Sequence, residues 1–308
     1  MKAATQTETG RAFEWSVGRS VTSLVGCRLI ESNFSKLAKL CYEEKISDKK
    51  RDAFDVAADL AVRHILNKEK IERDPDATLE FNSDKAGQKG DVRDVILKYS
   101  GKSIGISCKS NHEALKHSRL SAKLDFISKW DLSDAGCSTE YWNQIKPIFA
   151  ELASIRKNSD RTALWEDLES KPERFYWPLI DAWEQEINRV ISVNPDKEAD
   201  FCKRLMTYLI GRFDFYKVMC KGSKRVEIQA FNFSGNLATR KTNFPTAINV
   251  INKKNGGMYS KTIVFNHGFS INFRIHNASS RVEASLKFDI NAIGLPSGEV
   301  YQHTLDIG

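Results

Sequence analysis

Missing from this 308-residue sequence is any C-x-x-C pair: its six cysteines, Cys27, Cys41, Cys108, Cys137, Cys202 and Cys220, are scattered. That spacing argues against a zinc ribbon or a dithiol redox centre. No uninterrupted apolar run reaches the ~18 residues needed to span a bilayer, and the opening Met1-Lys2-Ala3-Ala4-Thr5-Gln6-Thr7-Glu8 lacks the apolar segment of a secretory leader. The expectation is a cytoplasmic protein with free thiols and no membrane association. The N-x-S triplets at Asn33, Asn232 and Asn277 are then chance matches. Repeats, low-complexity tracts and an obvious interdomain linker are lacking as well.

What is present is an ordinary globular composition, 41% hydrophobic and 28% charged. The net charge is +7. From Lys217 onwards there are 12 Lys/Arg against 5 Asp/Glu, so the last third carries the excess. A basic C-terminal region points to a polyanionic partner and to phosphate contacts there.

Apolar residues at helical spacing (Ala12, Trp15, Val17, Val21, Leu24, then Phe54, Ala58, Ala61, Val62, Ile65) predict helices through the first ~70 residues. Asp74-Pro75-Asp76 breaks the chain. Thr78–Phe81 reads as a short strand, followed by a polar loop to Gly90. Asp94–Tyr99 and Ile104–Lys109 form a hairpin around Ser100-Gly101-Lys102-Ser103. Asn111, a candidate N-cap, begins another helix to Ser121. Residues 139–219 read as mostly helical, interrupted near Pro172 and Pro195. Five alternating segments then read as strands: Val226–Phe231, Ala247–Ile251, Lys261–Phe265, Ser270–Ile275 and Ser285–Ile290. The expected class is α+β, with residues 1–138 a core holding the hairpin, 139–219 a helical region and 220–308 a β-rich basic region.

The hairpin carries the chemistry. Phosphodiester hydrolysis needs an oxygen-ligated divalent metal, a positioned water and a cation for the developing charge. A turn centred on Gly101 and Lys102 would set Asp94 opposite Lys109 and Ile96 opposite Ser107, ~5 Å apart at Cβ. Asp94, Ile96, Ser107 and Lys109 then share one face, with Val95, Leu97, Ile106 and Cys108 on the other. A one-residue slip would put Asp91 on the lysine's face instead; Asp94 is preferred. A plain cross-strand Asp–Lys surface pair has the same spacing.

Two segments decide between these readings: Gly90-Asp91-Val92-Arg93-Asp94-Val95 and Ile106-Ser107-Cys108-Lys109-Ser110-Asn111-His112-Glu113-Ala114-Leu115-Lys116-His117-Ser118-Arg119-Leu120-Ser121. They resemble the HaeIII family of type II restriction endonucleases, which looks like a branch of the PD-(D/E)xK nucleases. Phe269–Glu283 is also similar to that family. The resemblance implies a PD-(D/E)xK-like mixed sheet flanked by helices, and Mg²⁺-dependent in-line attack of water on double-stranded DNA at GGCC. It implies a cognate DNA methyltransferase as genetic partner, and a palindromic target would suit a homodimer. In that frame Lys109 orients water and stabilises charge, while Asp94 binds metal together with the carbonyl of Cys108. Ser107 departs from the general pattern by standing where an acid belongs. Glu113 and Glu14 are the candidates to compensate, with Asp91 the alternative metal ligand.

His112, Lys116, His117 and Arg119, with Asn111, are candidate phosphate contacts in the expected helix. Asn272, Arg274 and His276 alternate with Ile271, Phe273 and Ile275, giving one polar strand face suited to groove contact, extended by Asn277 and Arg281. Arg240 and Lys241 suit phosphate clamping. The aromatic run Phe175-Tyr176-Trp177 with Trp183 has the spacing of core packing rather than of a base-stacking platform. The competing functions are a nuclease of different specificity and a DNA-binding protein with a degenerate nuclease core.

Overall fold

A computed structural model describes residues 4–83, 90–111, 114–253 and 259–307, without the side chains of 114–117 and 252–253. The chain forms two compact units, and it passes between them more than once: residues 1–113, 211–243 and 297–308 make the first, 114–210 and 244–296 the second. The linear division at 138 and 219 therefore does not coincide with them. A parallel strand pair explains the interleaving. It needs a long crossover, and here the crossover carries much of a second unit.

The first unit opens with α1 (Gln6–Val25), β1 (Arg28–Ile30), α2 (Asn33–Leu40) and α3 (Asp48–Glu69). Thr5 and Glu8 close a capping box at the start of α1, and Gly26, at φ 75°, ends it. The sheet follows with β2 (Thr78–Phe81), β3 (Val95–Tyr99) and β4 (Lys102–Ser110), and is completed by β6 (Phe215–Lys221), β7 (Arg225–Phe231) and β12 (Tyr301–Asp306). Its order is β1-β2-β3-β4-β6-β7-β12, parallel at β1–β2 and β4–β6 and antiparallel elsewhere. The helices bury Ala12, Phe13, Val17, Val21, Ala58 and Val62 in one core with Leu79, Val95, Leu97, Ile106, Cys108 and Val218. Gly18 allows the close approach: a Cβ there would lie 2.5 Å from the Phe81 ring.

The second unit holds β5 (Ala114–Leu120), α4 (Phe126–Lys129), α5 (Thr139–Asn158), α6 (Trp177–Val193), α7 (Glu198–Ile210), β8 (Ile248–Lys253), β9 (Ser260–Phe265), β10 (Ser270–His276) and β11 (Leu286–Gly294). Its antiparallel sheet runs β5-β11-β10-β9-β8. One sheet face packs on the helices, with Trp183 4.5 Å from Phe273 and 5.3 Å from Phe288 between ring centroids. Phe175, Tyr176 and Trp183 are buried, as expected of core residues.

The α+β class and the mixed helix-flanked sheet agree with the expectation, and so do the strands near 78–81, 95–99 and 225–231. Three elements do not. Residues 114–120 form a strand, not a helix, because they pair along β11 from Leu120↔Leu286 to Ala114↔Asn291. Phe215–Lys221 is the strand beside β4 rather than a helix end, and β12 closes an edge of the sheet. No helix among the described residues is long and apolar enough to cross a membrane.

Candidate active site

The turn of the β3–β4 hairpin is tighter than its sequence suggests. Ser100 (φ 46°) and Gly101 (φ 76°) both take left-handed backbone, the requirement of a two-residue hairpin turn whose twist matches its strands. Tyr99 consequently pairs with Lys102 and Val95 with Ile106. The register is displaced by two residues from the expected one, so Asp94 continues the ladder at the level of Ser107, its N–H donating to the Ile106 carbonyl at 2.9 Å. A displacement of two preserves side-chain parity, and the expected faces survive.

Asp94 and Lys109 do meet, diagonally rather than directly. The Asp94 Oδ2 accepts from the Cys108 N–H at 2.7 Å, the Ser107 hydroxyl at 3.2 Å and the Lys109 ammonium at 3.3 Å. Each of the two charged side chains is about a quarter exposed, Lys109 at 25% and Asp94 at 24%. That places the pair at an accessible strand end and not in the core. Burial opposes the charge on Lys109, but Asp94 and then Glu14 outweigh it and hold its pKa above the ordinary lysine value. Glu14 on α1 also acts, after burial and Asp94, to push the buried Cys108 thiol well up. Glu14 is therefore within electrostatic reach of the pair, on a helix packed against β4.

Ser107 is buried and serves as a donor to Asp94. Its β6 register partner is Lys217, also buried, a basic residue one strand from the pair, in a segment whose sequence predicts the end of a helical stretch. Its signal was the apolar run around it, which suits a central strand as well as a helix. Asp91 is committed elsewhere. Its two carboxylate oxygens accept from Arg93 Nε at 2.7 Å and Nη2 at 2.8 Å. Burial works against that carboxylate's charge, yet the Arg93 contacts hold its pKa below the ordinary value. Arg93 lies across Gly105, where a Cβ would stand 2.0 Å from its Cδ, and its guanidinium sits 4.1 Å from the Phe213 ring centroid. Only glycine at 105 leaves room for that crossing.

The other candidates fall in several places. His112 and Glu113 lie outside the described residues, as do the side chains of Lys116 and His117. Asn111, at φ 52°, accepts from the Gly222 N–H at 2.8 Å and so ties the end of β4 to the turn after β6. Arg240 and Lys241 are exposed in the first unit, Arg240 reaching the Gly298 carbonyl at 3.3 Å. In the second unit Arg119 pairs with Glu283. The side-chain amide of Asn272 donates to Thr262 Oγ1 at 3.1 Å. Asn277 holds its own turn through the Ser279 and Arg281 carbonyls, and Arg281 is exposed. On β10, Ile271, Phe273 and Ile275 are buried while 272, 274 and 276 are part-exposed, as the alternation required.

Among the described residues no group of three His, Cys, Asp or Glu could hold a metal ion. Mg²⁺ does not require one: it keeps several waters and takes one or two carboxylates plus substrate phosphate. Asp94, with its contacts gathered on Oδ2, and Glu14 fit that description.

A family model described as HaeIII restriction endonuclease matches residues 10–296. The type II restriction enzyme HaeIII of Haemophilus aegyptius is 33% identical over 94% of this chain and 95% of its own length. No solved structure matches the chain.

Proposed function

The chain belongs to the HaeIII restriction endonuclease family, and we propose that it cleaves double-stranded DNA at GGCC by Mg²⁺-dependent hydrolysis at the Asp94–Lys109 pair. It is a type II site-specific deoxyribonuclease; the target, the metal and the residue roles are our reading. The convergence of Ser107, Cys108 N–H and Lys109 on one oxygen of Asp94 carries it. A surface ion pair needs no such backbone donor.

Lys109 keeps its proton and presents an ammonium at an accessible strand end. There it can orient the attacking water and stabilise the charge that develops on the pentacovalent phosphorus. The Cys108 N–H and the Ser107 hydroxyl fix one oxygen of Asp94, which orients its carboxylate. Asp94 and Glu14 would hold Mg²⁺, which supplies Lewis acidity and lowers the pKa of a bound water; Glu113 is a further candidate ligand. In-line attack breaks the bond to the 3′ oxygen and leaves 5′-phosphate and 3′-hydroxyl ends, with no covalent enzyme intermediate. Arg240 and Lys241 are suited to phosphate contacts, and so are Asn111, His112, Lys116, His117 and Arg119. Asn272, Arg274 and Arg281 of the second unit are suited to the grooves, while the His276 imidazole and the Asn277 amide are held by their neighbours. A palindromic site fits a two-fold dimer, and a cognate methyltransferase would protect the host's own sites.

Plasmid digestion with Mg²⁺ and sequencing of the fragment ends tests this. Discrete fragments ending within GGCC are expected. Binding without cutting would instead favour a degenerate core, and discrete ends elsewhere would overturn the target alone.

A further inference from the structure

The polar face of the second unit's sheet contains a buried carboxylate that no catalytic step uses. Asp289 on β11 has a side chain only 9% exposed. Among the described side chains three basic ones converge on it: His276 Nε2 at 2.8 Å, Arg274 Nη2 at 3.3 Å and Lys287 Nζ at 3.5 Å. The register makes this arrangement, since Arg274 pairs with Asp289 and His276 with Lys287 across β10–β11.

The donors differ in what they have left to offer. His276 is fully engaged, because Nε2 meets Asp289 and Nδ1 meets the Asn277 carbonyl at 2.8 Å. Arg274 is not. Its side chain is 40% exposed, one nitrogen donates to Asp289, and its buried Nε has no hydrogen-bond partner among the described residues. A guanidinium has five N–H donors in a fixed plane; with Nε buried and one N–H of Nη2 given to Asp289, the Nη1 pair and the second N–H of Nη2 are the donors left to offer. A carboxylate behind it weakens simple attraction to phosphate and, held through Nη2 alone, restrains where the fork points. Fixed orientation matters for the paired acceptors O6 and N7 of guanine, and little for a phosphate.

We propose that Arg274 reads a guanine of the target through its major-groove edge, and that Asp289, itself braced by His276, is the positioning residue that aims it. This rests on the reading of the chain as a nuclease specific for GGCC. The test compares binding by the full chain, with Ca²⁺ replacing Mg²⁺ to suppress cleavage, to a GGCC duplex and to a scrambled duplex of equal length. Arg274→Ala should reduce the preference for GGCC about ten-fold or more, in line with loss of one bidentate base contact. Asp289→Asn should also reduce it, while affinity for the scrambled duplex holds or rises, because a negative charge has been removed from a basic surface. A 7-deazaguanine duplex needs no protein variant to fold: it should weaken wild-type binding at the guanine concerned and leave Arg274→Ala indifferent. Equal changes on both duplexes would make Arg274 a phosphate contact and overturn the inference. So would a deazaguanine penalty that survives Arg274→Ala. Wild type without any preference for GGCC overturns the target reading and this inference together; a preference that stays undiminished in Arg274→Ala overturns the inference alone.

Discussion

The two sheets put their polar chemistry together in different ways. In the first unit, Asp94 and Lys109 are 15 residues apart on one hairpin, so a tight turn is enough to bring them together. In the second, β5 and β11 pair although most of that unit lies between them in sequence, Arg119 standing opposite Lys287. The hairpin site is a product of one tight turn and strand parity. Around Asp289, Arg274 and His276 also come from the preceding strand, 15 and 13 residues away, but the longer connection 277–285 leaves the register to the sheet itself, which β5 joins from far along the chain. Sites closed by a tight turn are the ones a sequence displays.

That contrast predicts different phenotypes. The largest effect is expected for Asp94→Asn, which should lower single-turnover cleavage by on the order of a hundred-fold or more while binding to GGCC stays within a few-fold. A loss of both would blur the distinction between a cutting unit and a reading unit. Next comes Glu14→Gln. Glu14 helps to hold the Lys109 pKa above its ordinary value, so its neutralisation should move the alkaline limb of the cleavage rate to lower pH. The same linkage affects stability: the Lys109 contribution is complete below the unfolded lysine pKa and is lost as pH rises through the higher folded value. A pH–rate profile whose alkaline limb stays put would remove Glu14 from the site.

A smaller, purely structural effect is expected for Arg93→Met. Asp91 has a lowered folded pKa, so its contribution is present above the ordinary aspartate value and disappears as pH falls through the folded one. Without the Arg93 guanidinium the carboxylate is left part-buried without a cation, keeping the residue-93 backbone N–H and Asn82, at a cost of up to about 3 kcal/mol at neutral pH. Chemical denaturation at pH 7 and pH 3 should show that the penalty shrinks in acid; a penalty equal at both would mean lost packing on Phe213 dominates. The least effect is expected for Asn277→Ala, which removes the side-chain donors holding the 277–281 turn at about 1 kcal/mol, measurable as a shift in thermal midpoint.

How much of this was legible follows from the same contrast. The shared face of Asp94, Ser107 and Lys109 could be read even though the register could not, because a displacement of two leaves parity intact. The actual register depended on Ser100 accepting left-handed backbone next to Gly101. Residues 114–120 carry a mixed pattern that suits a helix as well as a strand, and the distant β11 decides for strand. Phe215–Lys221 was hidden for the opposite reason: a fully buried strand has no alternation to show. Lys287 and Asp289 lie in a correctly read strand, but the connection 277–285 has no two-residue turn to set that strand's register against Arg274.

Lys109→Ala offers the most direct test of the hairpin as the cleavage centre. Single-turnover cleavage of a GGCC duplex should fall by on the order of a thousand-fold, with duplex affinity and thermal midpoint close to wild type. A folded Lys109→Ala protein that cuts at the wild-type rate would contradict it.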